Sequence, residues 1–99
     1  MNINVENMRK WIVALRSRKY KQIYLNLYGN GNRCCALGVA GKEICNGIND
    51  AIFIMDSLGL SPSIFYHKIV NLNDSKRLKF YQIARWLEKE FKSELSGIS

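Results

Sequence analysis

Four residues of this chain have side chains suited to metal or covalent chemistry: Cys34, Cys35, Cys45 and the single histidine, His67. Three thiols and an imidazole are the donor set of a tetrahedral zinc site, and a thiolate beside an imidazole is a nucleophile with its base. The spacing opposes both. Structural zinc sites open on two cysteines held roughly two to four residues apart on a knuckle, whereas adjacent residues of a strand project to opposite faces. Free cysteine otherwise behaves as a small, readily buried hydrophobe. Cys34, Cys35 and Cys45 therefore read as structural thiols, and no metal is expected. His67, between Tyr66 and Lys68, reads as a partly exposed residue of a helix with no nucleophile signature around it. The carboxylates fall in capping or solvated settings: Asp50 and Asp74 near helix starts, Glu88, Glu90 and Glu94 on the polar face of a last helix. Gly29-Asn30-Gly31 is too short for a phosphate-binding fingerprint and reads as a turn. No catalytic residue and no cofactor are expected, and the chain reads as a non-enzyme.

The remaining chemistry is charge. Arg9, Lys10, Arg16, Arg18, Lys19 and Lys21 crowd the first 21 residues against Glu6 alone, with Trp11 and Tyr20 interleaved. Cations neutralise phosphates and aromatic rings stack on bases, so this segment is the candidate anion-binding surface. A helix that buries one stripe must also fill its outer face with polar groups, and Trp11 sits on the apolar stripe, which makes it a core residue first. Arg9 and Arg16, seven residues apart, share a helix flank. If these cations only solvate the helix, the alternative contact regions are Phe65–Tyr66 and the Gly29 to Asn32 turn.

Those residues sit in a chain of 99 residues, the length of one domain, 1–99. The 47% hydrophobic share is enough for a small core, while the net charge of +7 directs the surface toward anions. Neither a basic-then-apolar leader nor a long apolar run appears, so a soluble, cytoplasmic protein with reduced thiols and no membrane partner is expected.

Six elements must position the candidates. Asn4 caps a helix with Val5, Met8, Trp11, Ile12 and Leu15 on one side. Gln22 to Tyr28 alternates as a strand, with Ile23, Leu25 and Leu27 on one face, and the turn at Gly29-Asn30-Gly31-Asn32 folds it into a hairpin with Arg33-Cys34-Cys35. Ala36 to Ile44 either continues the strand or turns into a short helix, which its small residues favour. Asp50 caps a helix over Ala51 to Leu58 that Gly59 stops, and Ser61-Pro62 opens another through Ile64, Phe65, Lys68 and Ile69. Asn71 to Ser75 breaks it. The last helix carries Phe80, Ile83, Ala84, Leu87, Phe91 and Leu95 on one stripe. The expected fold is α+β, with helices over a two- or three-stranded antiparallel sheet and Trp11, Leu15, Leu25, Leu37, Ile83 and Leu87 in the core.

Lys10-Trp11, Lys19-Tyr20-Lys21-Gln22, Cys34-Cys35-Ala36-Leu37-Gly38-Val39, Leu72-Asn73-Asp74 and the run Phe80 to Glu88 together resemble the landmarks of small uncharacterised bacteriophage proteins, across nearly the whole chain. Ile23-Tyr24-Leu25 departs from the Gly-rich stretch usual after the glutamine, and Gly41-Lys42 stands where a further cysteine is common. The resemblance implies a phage origin and, by analogy with small phage proteins lacking catalytic residues, a non-enzymatic inhibitor of host antiviral defence, anti-CRISPR-like, whose basic surface engages a nucleoprotein or protein target. Two alternatives stand beside it: a sponge for a cyclic nucleotide immune signal, and a phage nucleic-acid-binding accessory protein.

Overall fold

The computed structural model describes residues 3–97. The Asn4 side chain accepts the Asn7 N–H at 3.0 Å and so caps helix α1 (Val5–Arg16), one of whose first-turn amides would otherwise lack a partner. Two short strands follow, β1 (Lys21–Gln22) and β2 (Arg33–Cys34). Then come α2 (Ala36–Ile44), α3 (Ala51–Leu58), α4 (Pro62–Val70), α5 (Phe80–Glu90) and α6 (Lys92–Leu95). The fold is α+β, with six helices among the described residues packed with one small sheet.

The segment after α1 leaves the expected hairpin. β1 and β2 pair in parallel, Lys21 beside Arg33 and Gln22 beside Cys34. The Gly29 to Asn32 turn does form, with Gly31 at φ 66°, but its antiparallel arm shrinks to a single bridge between Tyr28 and Cys34. The cause lies far along the sequence. Asn73 Nδ2 donates to the Ile23 carbonyl at 3.0 Å, and the Leu25 N–H donates to Asp74 Oδ1 at 3.0 Å. These side chains take backbone groups that a strand would give to a neighbouring strand, so the chain bends away from the sheet. Leu25 takes a left-handed φ of 70° and is 79% exposed, which removes it from the core expected for it.

The helix boundaries follow local chemistry. Cys35 caps α2, its sulfur accepting the Gly38 N–H at 3.4 Å. Asp50 caps α3 through the Phe53 N–H at 3.1 Å, and Gly59 ends it at φ 73°. Ser61, the expected cap of α4, makes no capping bond; its hydroxyl lies 3.0 Å from that of Ser63, and Pro62 alone marks the start. Asn71 to Ser75 does not break the chain but continues it as a wider π-helical turn, which brings Asn73 into the interior. The last stripe is divided at Phe91, where φ and ψ leave the helical region between α5 and α6.

Helix α1 packs on α2 and α5. Trp11, Leu15, Leu37, Ile83 and Leu87 are buried as expected, and the Trp11 indole N–H donates to the Ala36 carbonyl at 2.8 Å. No helix of the described residues is long and apolar enough to cross a membrane.

Candidate nucleic-acid interface

The six cations at the start of the chain are distributed over different surfaces. Arg9, Lys10 and Lys19 line a groove of about 570 Å³ beside Val13 and Ala14, and Glu6 and Glu43 line it with them. Lys10 lies 3.4 Å from Glu6, and Lys19 lies 3.3 Å from Glu43. The Glu43 carboxylate also raises the pKa of Lys19, first through their hydrogen bond. Arg9 donates to the Leu95 carbonyl. This is the largest concavity in the region, yet its carboxylates offset most of its charge.

Arg16 and Arg18 face a second groove of about 400 Å³, between the end of α1, β1 and the start of α5. Lys79 adds a third cation, Tyr20, Phe80 and Tyr81 add rings, and no carboxylate is among the lining residues. Arg16 is paired with Glu88, which stands outside the lining. Arg18 and Lys79 form no ion pair among the described residues. Lys21 is exposed on β1 and lines neither groove. Arg9 and Arg16, on one flank by spacing, thus serve different concavities.

The groove is held by bonds that begin at the end of α1. The Ser17 hydroxyl donates to the Ala14 carbonyl at 2.7 Å and accepts the Lys19 N–H at 3.2 Å. Arg18, between them, sits at a left-handed φ of 62°, a conformation that a non-glycine residue holds only when its surroundings impose it. Asn32 Nδ2 fixes the next turn by donating to the Lys19 carbonyl at 2.8 Å. Gln22 is anchored at the floor, its amide donating to Asn73 Oδ1 and to the Leu78 carbonyl, each at 2.8 Å. Burial, the leading cause, raises the Tyr20 hydroxyl above its ordinary pKa and keeps it a neutral donor. At the other wall, Lys79 precedes α5, and its N–H donates to Gln82 Oε1 at 2.8 Å.

Lys79 and Tyr81 escape sequence reasoning as neighbours of Arg18 because they stand about sixty residues from it and no local rule brings the two segments together. The local signal is the basic run Lys76-Arg77-Leu78-Lys79 directly before an aromatic pair at a helix start.

The thiols form no comparable site. Cys34 and Cys35 are buried and Cys45 is partly buried, all three unpaired. Burial pushes the Cys34 thiol up to about 12 and also raises that of Cys35, so neither is a ready thiolate. His67 is exposed on α4 with its ring against Tyr66. No cluster of three or more histidine, cysteine or acidic side chains suited to a metal occurs among the described residues.

No protein-family model matches the chain, and neither does any curated protein or solved structure.

Proposed function

We propose that this protein is a small inhibitor of host antiviral defence that acts by binding a nucleoprotein, without catalysis, and that the Arg16–Arg18–Lys79 groove meets the phosphates of its nucleic acid. The observation that carries this reading is the groove itself: three cations, two tyrosines and no lining carboxylate around about 400 Å³. Cations supply phosphate affinity, and tyrosine faces stack on unpaired bases whatever their sequence. The setting in defence rests on the phage-like landmarks of the sequence.

The test is a fluorescence-anisotropy titration with labelled single-stranded RNA and DNA over a range of salt, repeated with Arg18→Gln and Lys79→Gln. Removing one phosphate-binding cation should reduce the slope of log K against log salt by about 0.7 for a single strand. The same variants should no longer protect an infecting phage in a host with active defence. Binding that neither substitution nor salt alters would remove the groove from the reading.

The size of the groove supports a second reading, a sponge for a cyclic nucleotide, because a compact ligand with one or two phosphates could be enclosed between Tyr20, Tyr81 and the cations. Calorimetric titration with cyclic mono- and dinucleotides separates the two. Saturable binding of one cyclic nucleotide, with no salt-dependent retention of long strands, selects the sponge.

A further inference from the structure

Leu25 is the most exposed large apolar side chain among the described residues, at 79%. Its backbone holds a left-handed φ of 70°, which a leucine keeps only where its surroundings impose it. Asp74 Oδ1 fixes the position by accepting the Leu25 N–H at 3.0 Å, and the same oxygen accepts Asn73 Nδ2 at 2.7 Å. One residue earlier, the Arg77 guanidinium stacks on the Tyr24 ring, 4.3 Å from its centre. Arg77 is itself left-handed at φ 51°, between the Lys76 and Leu78 N–H groups that donate to the Asn71 and Leu72 carbonyls at 2.9 Å. Two unfavourable backbone conformations thus meet where an apolar side chain is held out into solvent.

This tip continues the basic groove. Gln22 lines the groove and its amide donates to the Leu78 carbonyl, so two chain segments lie side by side, with Gln22 and Lys79 at the groove and Tyr24 and Arg77 at the tip. Leu25 follows Gln22 by three residues, a reach of at most about 11 Å, or about three base steps along a strand. Lys76 and Arg77 are exposed and form no ion pair among the described residues. Asp74 is the one carboxylate bonded to the tip, where it accepts two N–H donors. A stacked guanidinium keeps its N–H edge for a phosphate. An apolar side chain held beside such cations has the form of a wedge, which enters between stacked bases while the cations take the neighbouring phosphates. Bases lying on the tyrosines of the groove have already left their own stack, so a wedge acts on the paired side of the strand.

We infer that the nucleic acid bound is a junction between duplex and single strand. Leu25 enters the stack at the last base pair, Lys76 and Arg77 meet phosphates of the duplex, and the unpaired strand runs on into the Arg18–Lys79 groove. This inference rests on the reading of that groove as a nucleic-acid site.

Duplexes with a single-stranded extension of either polarity, carrying the fluorescent adenine analogue aminopurine at the last base pair, test it beside the same single strands alone. The full chain should bind one of the junctions more tightly than the single strands and raise the aminopurine fluorescence as the base leaves its stack. Leu25→Ala should lose that rise and bind the junction about tenfold more weakly, as the loss of one buried leucine side chain predicts, with single-strand binding unchanged. Leu25→Gly, for which a left-handed φ costs little, should lose the rise while melting no lower than the wild type, a combination that a merely structural leucine would not produce. A rise that survives these substitutions, a lower melting temperature of Leu25→Gly, or equal affinity for junctions and single strands would overturn the inference and leave the groove reading in place. A wild-type chain that binds no strand at all would remove both. Leu25-dependent sedimentation with vesicles of phosphatidylserine and phosphatidylcholine, with no effect on junctions, would overturn it in favour of a lipid surface.

Discussion

Asn73 and Ala36, thirty-seven residues apart, are joined by a buried hydrogen bond: Asn73 Oδ1 accepts the Ala36 N–H at 3.1 Å. The same oxygen accepts from Gln22, and the other end of the amide donates to the Ile23 carbonyl. One side chain thus ties β1, the start of α2 and the π-helical turn together, and it is the only buried polar side chain among the described residues.

Asn73→Ala should therefore cost about 2–4 kcal/mol, because it leaves more than one buried donor or acceptor without a partner, each at roughly 1–3 kcal/mol. Urea unfolding measures it. A midpoint equal to that of the wild type would show that the amide does not hold these elements together. Since Gln22 anchors the floor of the basic groove through this amide, the variant should also weaken nucleic-acid binding under conditions where it remains folded.

Gly38 shows a second close approach. A Cβ there would overlap the Leu27 carbonyl oxygen, a backbone atom already accepting the Cys35 N–H at 3.0 Å. Gly38→Ala should destabilise by about 1–3 kcal/mol even though alanine is the better helix former by about 1 kcal/mol. A thermal melt equal to or above that of the wild type would show that the 24–28 segment yields to the new methyl group.

What could be read from the sequence was what local rules decide. Asn4, Asp50 and Gly59 mark helix ends through chemistry within three or four residues, and the periodicity of Met8, Trp11, Ile12 and Leu15 marks a buried face. The α+β class followed from these. The parallel pairing of β1 with β2 did not, because it depends on Asn73 and Asp74 removing Ile23 and Leu25 from the strand across about fifty residues. Alternation at Ile23, Leu25 and Leu27 carries no trace of that competition. The candidate site was half legible for the same reason. Arg16 and Arg18 belong to a visible basic run, whereas Lys79 and Tyr81 join them only through the fold.

The buried thiols make stability fall in alkali. Cys34 is held neutral, its pKa moved from an ordinary 9.0 to about 12 by burial, and Tyr28 moves from 10.0 to about 12 for the same leading reason. The unfolded chain releases these protons at lower pH than the folded one. Between pH 9 and 12 the native state accordingly binds more protons, and unfolding becomes more favourable as pH rises. The stabilisation is complete below about pH 9 and declines through that window. Chemical-denaturant midpoints at stepped pH measure it, and a flat profile up to pH 12 would contradict the burial of Cys34. Aromatic disulfide reagents at neutral pH should modify Cys45 first and reach Cys34 and Cys35 only on unfolding.

The two grooves beside α1 differ in how their cations are paired. Lys10 and Lys19 are paired with Glu6 and Glu43 at exposed positions, where such pairs contribute about 0–1 kcal/mol to stability and offer little free charge to a partner. Arg18 and Lys79 have no such pairing among the described residues. Neutralising Lys10 and Lys19 to glutamine should therefore leave nucleic-acid affinity within about threefold. Neutralising Arg18 and Lys79, the same change in net charge, should lower it by about ten- to a hundredfold at physiological salt, as expected when two phosphates are left without their cations. Anisotropy titrations of the two double variants side by side provide the measurement. Equal reductions would mean that the partner senses only total charge, and the groove between α1 and α5 would then have no role in binding.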